Sequence, residues 1–248
     1  MKGNRDRREF LKMVALTTAF SSFAPYMLAN TNSANKVDSI EPFHWARLKF
    51  KLTENAADKW DVHPWGDEFF LDMLHKYTSL NVDKTWYVAE LTNLKQMQQY
   101  PFLFMTSENK FEFTPLQQKN FKEYLERGGF IYCDDCVVER TGDFFFQDVK
   151  KKVERLFNKK MVKLPDNHEI YRSFYKLKGL PFPQGKNHGA YALFLKGRMA
   201  LLLTPTDIHC GWCSLKLQLE NQEGWFDKKI GYESIKMGIN ILVYALTH

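Results

Sequence analysis

"YPFLFMTSENKFEFTPLQQKNFKEYLERGGFIYCDD", Tyr100 to Asp135, holds the signals that set the fold class. Its first seven residues are continuously apolar, as strands covered on both faces of a parallel sheet are. Thr114-Pro115 then starts a helix: the hydroxyl caps it, and Pro at the first position gives up an N–H that would have no partner there anyway. Leu116, Phe121, Tyr124 and Leu125 supply the helix's apolar face, and Gly128-Gly129 ends it. "FIYCDD" is a second buried strand that closes on two carboxylates. Strand, helix and strand with short connections predict a right-handed βαβ crossover, hence an α/β fold.

The same signals repeat outward. Upstream, "FHWARLKFK" and "TWYVAEL" read as strands. Between them "GDEFFLDMLHKYTSL" sets Phe69, Phe70, Met73, Leu74 and Tyr77 at helical spacing. Downstream come an amphipathic helix in "DFFFQDVKKKVERLF" and a short strand in "MVKL". A hairpin of "AYALFL" and "RMALLLT" around "KGR" follows, and a final helix in "YESIKMGINILVYALTH". No repeat or low-complexity tract interrupts them. Ligands of open parallel sheets bind beyond the carboxyl ends of the strands. Polar residues gather there at Thr106-Ser107-Glu108, Asp134-Asp135-Cys136 and Thr204-Pro205-Thr206-Asp207.

The first 29 residues differ in kind: a basic head and a mild apolar run from Met13 to Ala29 form a signal peptide. Arg7-Arg8-Glu9-Phe10-Leu11-Lys12 resembles a twin-arginine export signal, with Asp6 where Ser or Thr is usual. An ordinary Sec signal or an uncleaved anchor is the alternative. The resemblance implies a protein exported already folded to the periplasm or cell surface, with the twin-arginine machinery as a partner and no stable membrane span after processing. Residues 30–42 read as a polar linker and 43–248 as a single α/β domain. Removing the signal takes away five Lys/Arg and two acids, which lowers the net charge from +6 to +3. With no Arg-rich stripe, nucleic-acid binding is not expected.

"WDVHPWGD" (Trp60–Asp67), "YPFLFMTSE" (Tyr100–Glu108), "YLERGGFIYCDDC" (Tyr124–Cys136), "LPDNHEIYRSFY" (Leu164–Tyr175), "DIHCGW" (Asp207–Trp212) and "MGINILVYALTH" (Met237–His248) together resemble the bacterial DUF4159 family. The resemblance implies a flavodoxin-like open, mostly parallel sheet with helices on both faces, similar to class I glutamine amidotransferases. The amidotransferase chemistry itself is not visible. It needs a Cys on a Gly-x-Cys-x-Gly elbow and a His-x-Glu pair. Here no glycine flanks either cysteine of "IYCDDCVVE", and His168 and Glu169 are adjacent.

All four cysteines fall in two Cys-x-x-Cys pairs, Cys133/Cys136 and Cys210/Cys213. Strand alternation puts Cys133 inside the sheet, where it reads as a small core residue. Cys136 and Cys210, both within the family-like motifs, are the stronger pair. In an oxidising compartment they form a candidate disulfide; alternatively Cys136, His209, Cys210 and a carboxylate such as Asp207 or Asp135 suit a metal, with zinc the possible ion. "CGWC" has the spacing of a redox dithiol but no legible helix start to activate a thiol. No cofactor is identified outright.

His63 is a candidate binding residue with Trp65 as an apolar wall, or else part of a loop held by Asp61 and Asp67. Asp134 and Asp135 are candidate acid/base groups or caps of the next element. His188 is a candidate for closing over a ligand, His168 and Glu169 read as structural, and Arg198 as a solvated turn residue. The expected function is an exported domain binding an unknown small molecule or protein partner. Its mouth is built from His63, Glu108, Asp134, Asp135, Cys136, Asp207 and His209. The alternative is a periplasmic hydrolase using a metal or acid/base pair, with Asp135 and His209 as candidate catalytic groups.

Overall fold

In the computed structural model, residues 41–52, 60–137 and 142–248 are described; the signal peptide, and the linker as far as residue 40, lie outside them. In chain order the elements are β1 (Ala46–Lys49), β2 (Lys51–Leu52), α1 (Trp65–Tyr77), β3 (Tyr87–Glu90), α2 (Leu94–Met97) and β4 (Phe102–Ser107). Then follow β5 (Phe111–Glu112), α3 (Pro115–Glu126), β6 (Phe130–Asp135), α4 (Phe144–Phe157) and β7 (Val162–Lys163). A 3-10 turn at Glu169–Arg172 leads to β8 (Tyr191–Leu195), β9 (Arg198–Thr204), α5 (Ile208–Leu219) and α6 (Lys228–Thr247).

Seven strands form one sheet in the order β3-β1-β4-β6-β9-β8-β7, and β2 and β5 make a small antiparallel pair. The first five are parallel. Numbered by their own succession they run 2-1-3-4-5, the flavodoxin-like order, whose topological switch lies between β1 and β4. β8 and β7 extend the sheet antiparallel. The β8–β9 hairpin turns at Lys196 and Gly197, both at positive φ (49° and 81°), as the tight turn between twisted strands requires.

The βαβ unit forms as the sequence indicated. Thr114 caps α3 in a capping box with Gln117, and β4 pairs with β6 from Phe102–Phe130 to Ser107–Asp135. Strand alternation sorts β6 between two cores. Phe130 and Tyr132 pack with α1, α5 and α6, while Ile131 and Cys133 pack with α3 and α4. On the first face Phe70 of α1 stacks on Trp212 of α5 at 4.1 Å and 9°, and Trp45 meets Phe70, Phe102 and Phe104 at 5.1–5.3 Å. Such pairs contribute about 0.5–1.5 kcal/mol each beyond the area they bury, and here they lock α1 and α5 over β1 and β4.

Two expectations are corrected. "DIHCGWCSLK" opens a helix: Asp207 is the N-cap of α5, and its carboxylate accepts from the Cys210 amide. Arg198 is no solvated turn residue. It is half-buried, and its guanidinium donates to the carbonyls of Gly129 (3.1 Å) and Leu125, where α3 ends. Among the described residues, no helix is long and apolar enough to cross a membrane.

Candidate functional site

The carboxyl ends of the strands are polar, but their carboxylates are already committed. Asp134 and Asp135 point to opposite faces of the sheet, and each caps a helix on its own side. Asp134 Oδ2 accepts from the His209 amide at 2.7 Å in the first turn of α5, and Oδ1 accepts from the Thr204 hydroxyl. Asp135 Oδ2 accepts from the Phe146 amide at 3.0 Å in the first turn of α4. Asp207, held at φ 60° and ψ 48°, accepts from the Val137 amide (3.1 Å) and the Gln184 side chain (2.5 Å) as well as from Cys210. All three are fully buried. Burial pushes Asp134 up to about 8, with the neighbouring Asp207 adding to it, and Asp135 up to about 9. Burial likewise raises Asp207 to about 6. Asp135 Oδ1 and His209 Nδ1 are buried with no hydrogen-bond partner among the described residues.

Beneath this layer lies a buried ion pair that sequence reading missed. Arg47 of β1 and Asp67 of α1 are both fully buried. Arg47 Nε lies 3.0 and 3.1 Å from the two Asp67 oxygens, and Nη2 is also bonded to the carboxylate. Trp45 Nε1 donates to Asp67 Oδ1 at 2.5 Å. His209 Nε2 completes the group, 3.0 Å from Arg47 Nη2 and 3.2 Å from Asp67 Oδ2. Burial works against the Asp67 charge, but Arg47 and the hydrogen bonds outweigh it and hold this carboxyl well below the usual range. Burial, reinforced by the Arg47 charge and opposed by the bond to Asp67, lowers His209 to about 4, so its imidazole is neutral at ordinary pH. The signal was available: an Arg inside an apolar strand, "WARLKF", demands a buried partner.

His209 is therefore engaged with the ion pair. The histidine that reaches the cysteines is His63, whose ligating atom lies with Cys136 Sγ and Cys210 Sγ in a group mutually within 4.8 Å. Cys136 follows β6 and Cys210 sits in the first turn of α5; their sulfurs are 3.6 Å apart, and none of the four cysteines is in a disulfide. The expected Cys136–Cys210 disulfide is not formed at this separation, since an S–S bond measures about 2.05 Å. Contact with Cys136 and burial together push the Cys210 thiol well up. Burial does the same to Cys213 and Cys133. That is the reverse of what a redox dithiol needs, even though "CGWC" does open a helix.

His63 is half-buried with a left-handed backbone, φ 46°. Its ring meets Trp65 at 5.8 Å and Trp225 at 5.3 Å, and Trp225 is 45% exposed. Val62 packs with the two sulfurs, and Phe226 lies against them. Trp65 thus stands beside His63, and Trp225, which the sequence did not point to, packs against both rings.

The other candidates fall elsewhere. Glu108 lies one residue past β4, half-buried. His188 bonds Asp143 at 2.8 Å and stacks on Phe146 at the start of α4. His168 is structural, its Nδ1 accepting from the Ile170 amide. Cys133 is fully buried against Met105 Sδ at 4.0 Å. A groove of about 460 Å³ lined by Phe113, Phe121, Lys152 and Arg155 shares no residue with the mouth.

Strand order and strand-end geometry define the class: a flavodoxin-like α/β domain with an imidazole and two thiols converging at the mouth of its sheet. Within that class the chain belongs to the family described as "Domain of unknown function (DUF4159)", which residues 44–246 match. No curated protein sequence matches it.

Proposed function

We propose that this is an exported domain that binds a small ligand at the carboxyl ends of its strands, on an amidotransferase-like scaffold without glutaminase machinery. The observation that carries the reading is the division of labour at the mouth. Asp134 and Asp207 are used up as helix caps and Asp135 gives one oxygen to the same task, whereas His63, Trp65 and Trp225 form a half-open aromatic rim above Cys136 and Cys210. Such a rim, apolar with a few convergent polar atoms, is what small-molecule sites are built from. Cys133, the cysteine within the strand, is sealed in the core and offers no nucleophile.

The test is mass spectrometry of small molecules retained by the full-length chain purified from cells. A compound carried by the wild type and lost from Trp225→Ala supports the reading; an empty wild type, or retention unchanged in Trp225→Ala, counts against it. One feature favours a hydrolase instead: the unpartnered Oδ1 of Asp135 on a carboxyl raised to about 9, a group suited to give up a proton. Ester hydrolysis abolished in Asp135→Asn, with the fold intact, would select that reading.

A further inference from the structure

We propose that His63, Cys136 and Cys210 are the three protein ligands of a zinc ion whose fourth position is open. The proposal deepens the binding-site reading and rests on it for the location of the site. Three observations converge on it. First, three ligand atoms converge. The sulfurs stand 3.6 Å apart, a contact of two thiols, and a tetrahedral zinc with Zn–S near 2.3 Å would need them only about 0.2 Å further apart, at about 3.8 Å; the His63 ligand atom lies within 4.8 Å of both.

Second, His63 adopts φ 46°, a left-handed conformation that costs a non-glycine residue roughly 1–2 kcal/mol. The conformation persists at the position that brings an imidazole to two thiols. Third, the charges balance. Zn²⁺ displaces one proton from each thiol to solvent, and two thiolates with one neutral imidazole leave a centre of zero net charge, which a site this buried tolerates. The two other cysteines are not in the group: the Cys213 sulfur lies against Gly66, and Cys133 packs with α3 and α4. Two cysteines and one histidine with an open position is the ligand set of catalytic rather than closed structural zinc. The fourth donor would then come from the ligand or from water.

The test is zinc content and cobalt substitution of the full-length chain, reduced and desalted after exposure to zinc sulfate. The expected result is about one zinc per chain, and with Co²⁺ the thiolate charge-transfer and tetrahedral visible bands. Cys136→Ser, Cys210→Ser and His63→Asn, which tolerates the left-handed backbone, should each weaken affinity beyond the 10–100-fold that outer-sphere partners cost. Cys133→Ala and Cys213→Ala should keep the metal. A wild type that binds no zinc after reduction overturns the proposal, as does metal lost equally from the Cys213 variant. If a ligand variant fails to fold, the cobalt spectrum of the wild type decides alone: without thiolate bands the proposal fails. Zinc held without any organic compound would support the metal while leaving the ligand-binding reading to fail by itself; a retained compound without zinc would do the opposite.

Discussion

Replacing Asp67 with alanine tests the account of the core most directly. The carboxylate takes bonds from Trp45, Arg47 and His209, and none of these four residues is more than 1% exposed. Among the described residues, its removal leaves a buried guanidinium with the carbonyls of Val62 (2.8 Å) and Trp60 (3.4 Å) and the neutral His209 imidazole (3.0 Å) beside it, and no counter-charge. Breaking a buried pair in this way costs about 3–5 kcal/mol. The loss of the Trp45 acceptor belongs to the same network and is not added separately. Against a total stability of roughly 5–15 kcal/mol, that is a large fraction, and for a chain of this size it corresponds to a fall in Tm of roughly 6–20 °C. Urea unfolding followed by tryptophan fluorescence and by circular dichroism measures it. The decisive comparison is the double variant Arg47→Met/Asp67→Leu. With both charges gone it should recover much of the loss, giving a coupling energy above about 2 kcal/mol. An Asp67→Ala cost below about 1 kcal/mol, or strict additivity of Arg47→Met and Asp67→Leu in their double variant, would contradict a coupled buried pair.

Gly66→Ala should destabilise by about 1–3 kcal/mol, because a Cβ there would stand 2.5 Å from Cys213 Sγ and 2.8 Å from His209 Nε2. Adding Cys213→Ala should restore part of it, and an unaltered urea midpoint for Gly66→Ala would contradict this packing. The third prediction concerns acid. Burial raises the Glu154 carboxyl, but bonds from Lys160, Lys150 and the Met161 amide outweigh it and hold it at about 2. A carboxyl depressed on folding stabilises above its unfolded value and loses that contribution as pH falls through the folded one. Wild type should therefore lose about 1 kcal/mol more than Glu154→Gln between about pH 5 and pH 2, the scale of a solvent-screened network; parallel pH profiles would count against it.

The fold was legible where information is local. Thr114-Pro115, Gly128-Gly129 and the unbroken apolar strands mark the βαβ unit within 36 residues, and strand alternation alone assigned Cys133 to the core. α5 escaped because eight of its twelve residues are buried, from Ile208 to Leu215, which erases the polar face that marks an amphipathic helix. Its N-cap, Asp207, reads equally well as a strand-end carboxylate. Of the two histidines expected at the mouth, the structure sets His63 beside Cys136 and Cys210 and turns His209 toward Arg47. His209 is the neighbour of Cys210 in sequence, yet at the second position of the helix its ring turns inward to Arg47, and His63 arrives from 73 residues before Cys136. Only the path of the 60–64 loop, with its left-handed residue, brings that imidazole round. Arg47 and Asp67 are 20 residues apart, and no spacing rule connects a strand interior to a helix start.

The guanidinium of Arg47 does one thing more than pair with Asp67. By donating to the carbonyls of Trp60 and Val62, it grips the segment that carries His63. Rim and core are thus one mechanical unit: whatever loosens the ion pair lowers the fraction of molecules whose imidazole is in position, and apparent affinity at the mouth falls by that fraction. Substitutions far below the rim should accordingly surface as binding defects, with none of the affected residues ever touching what is bound.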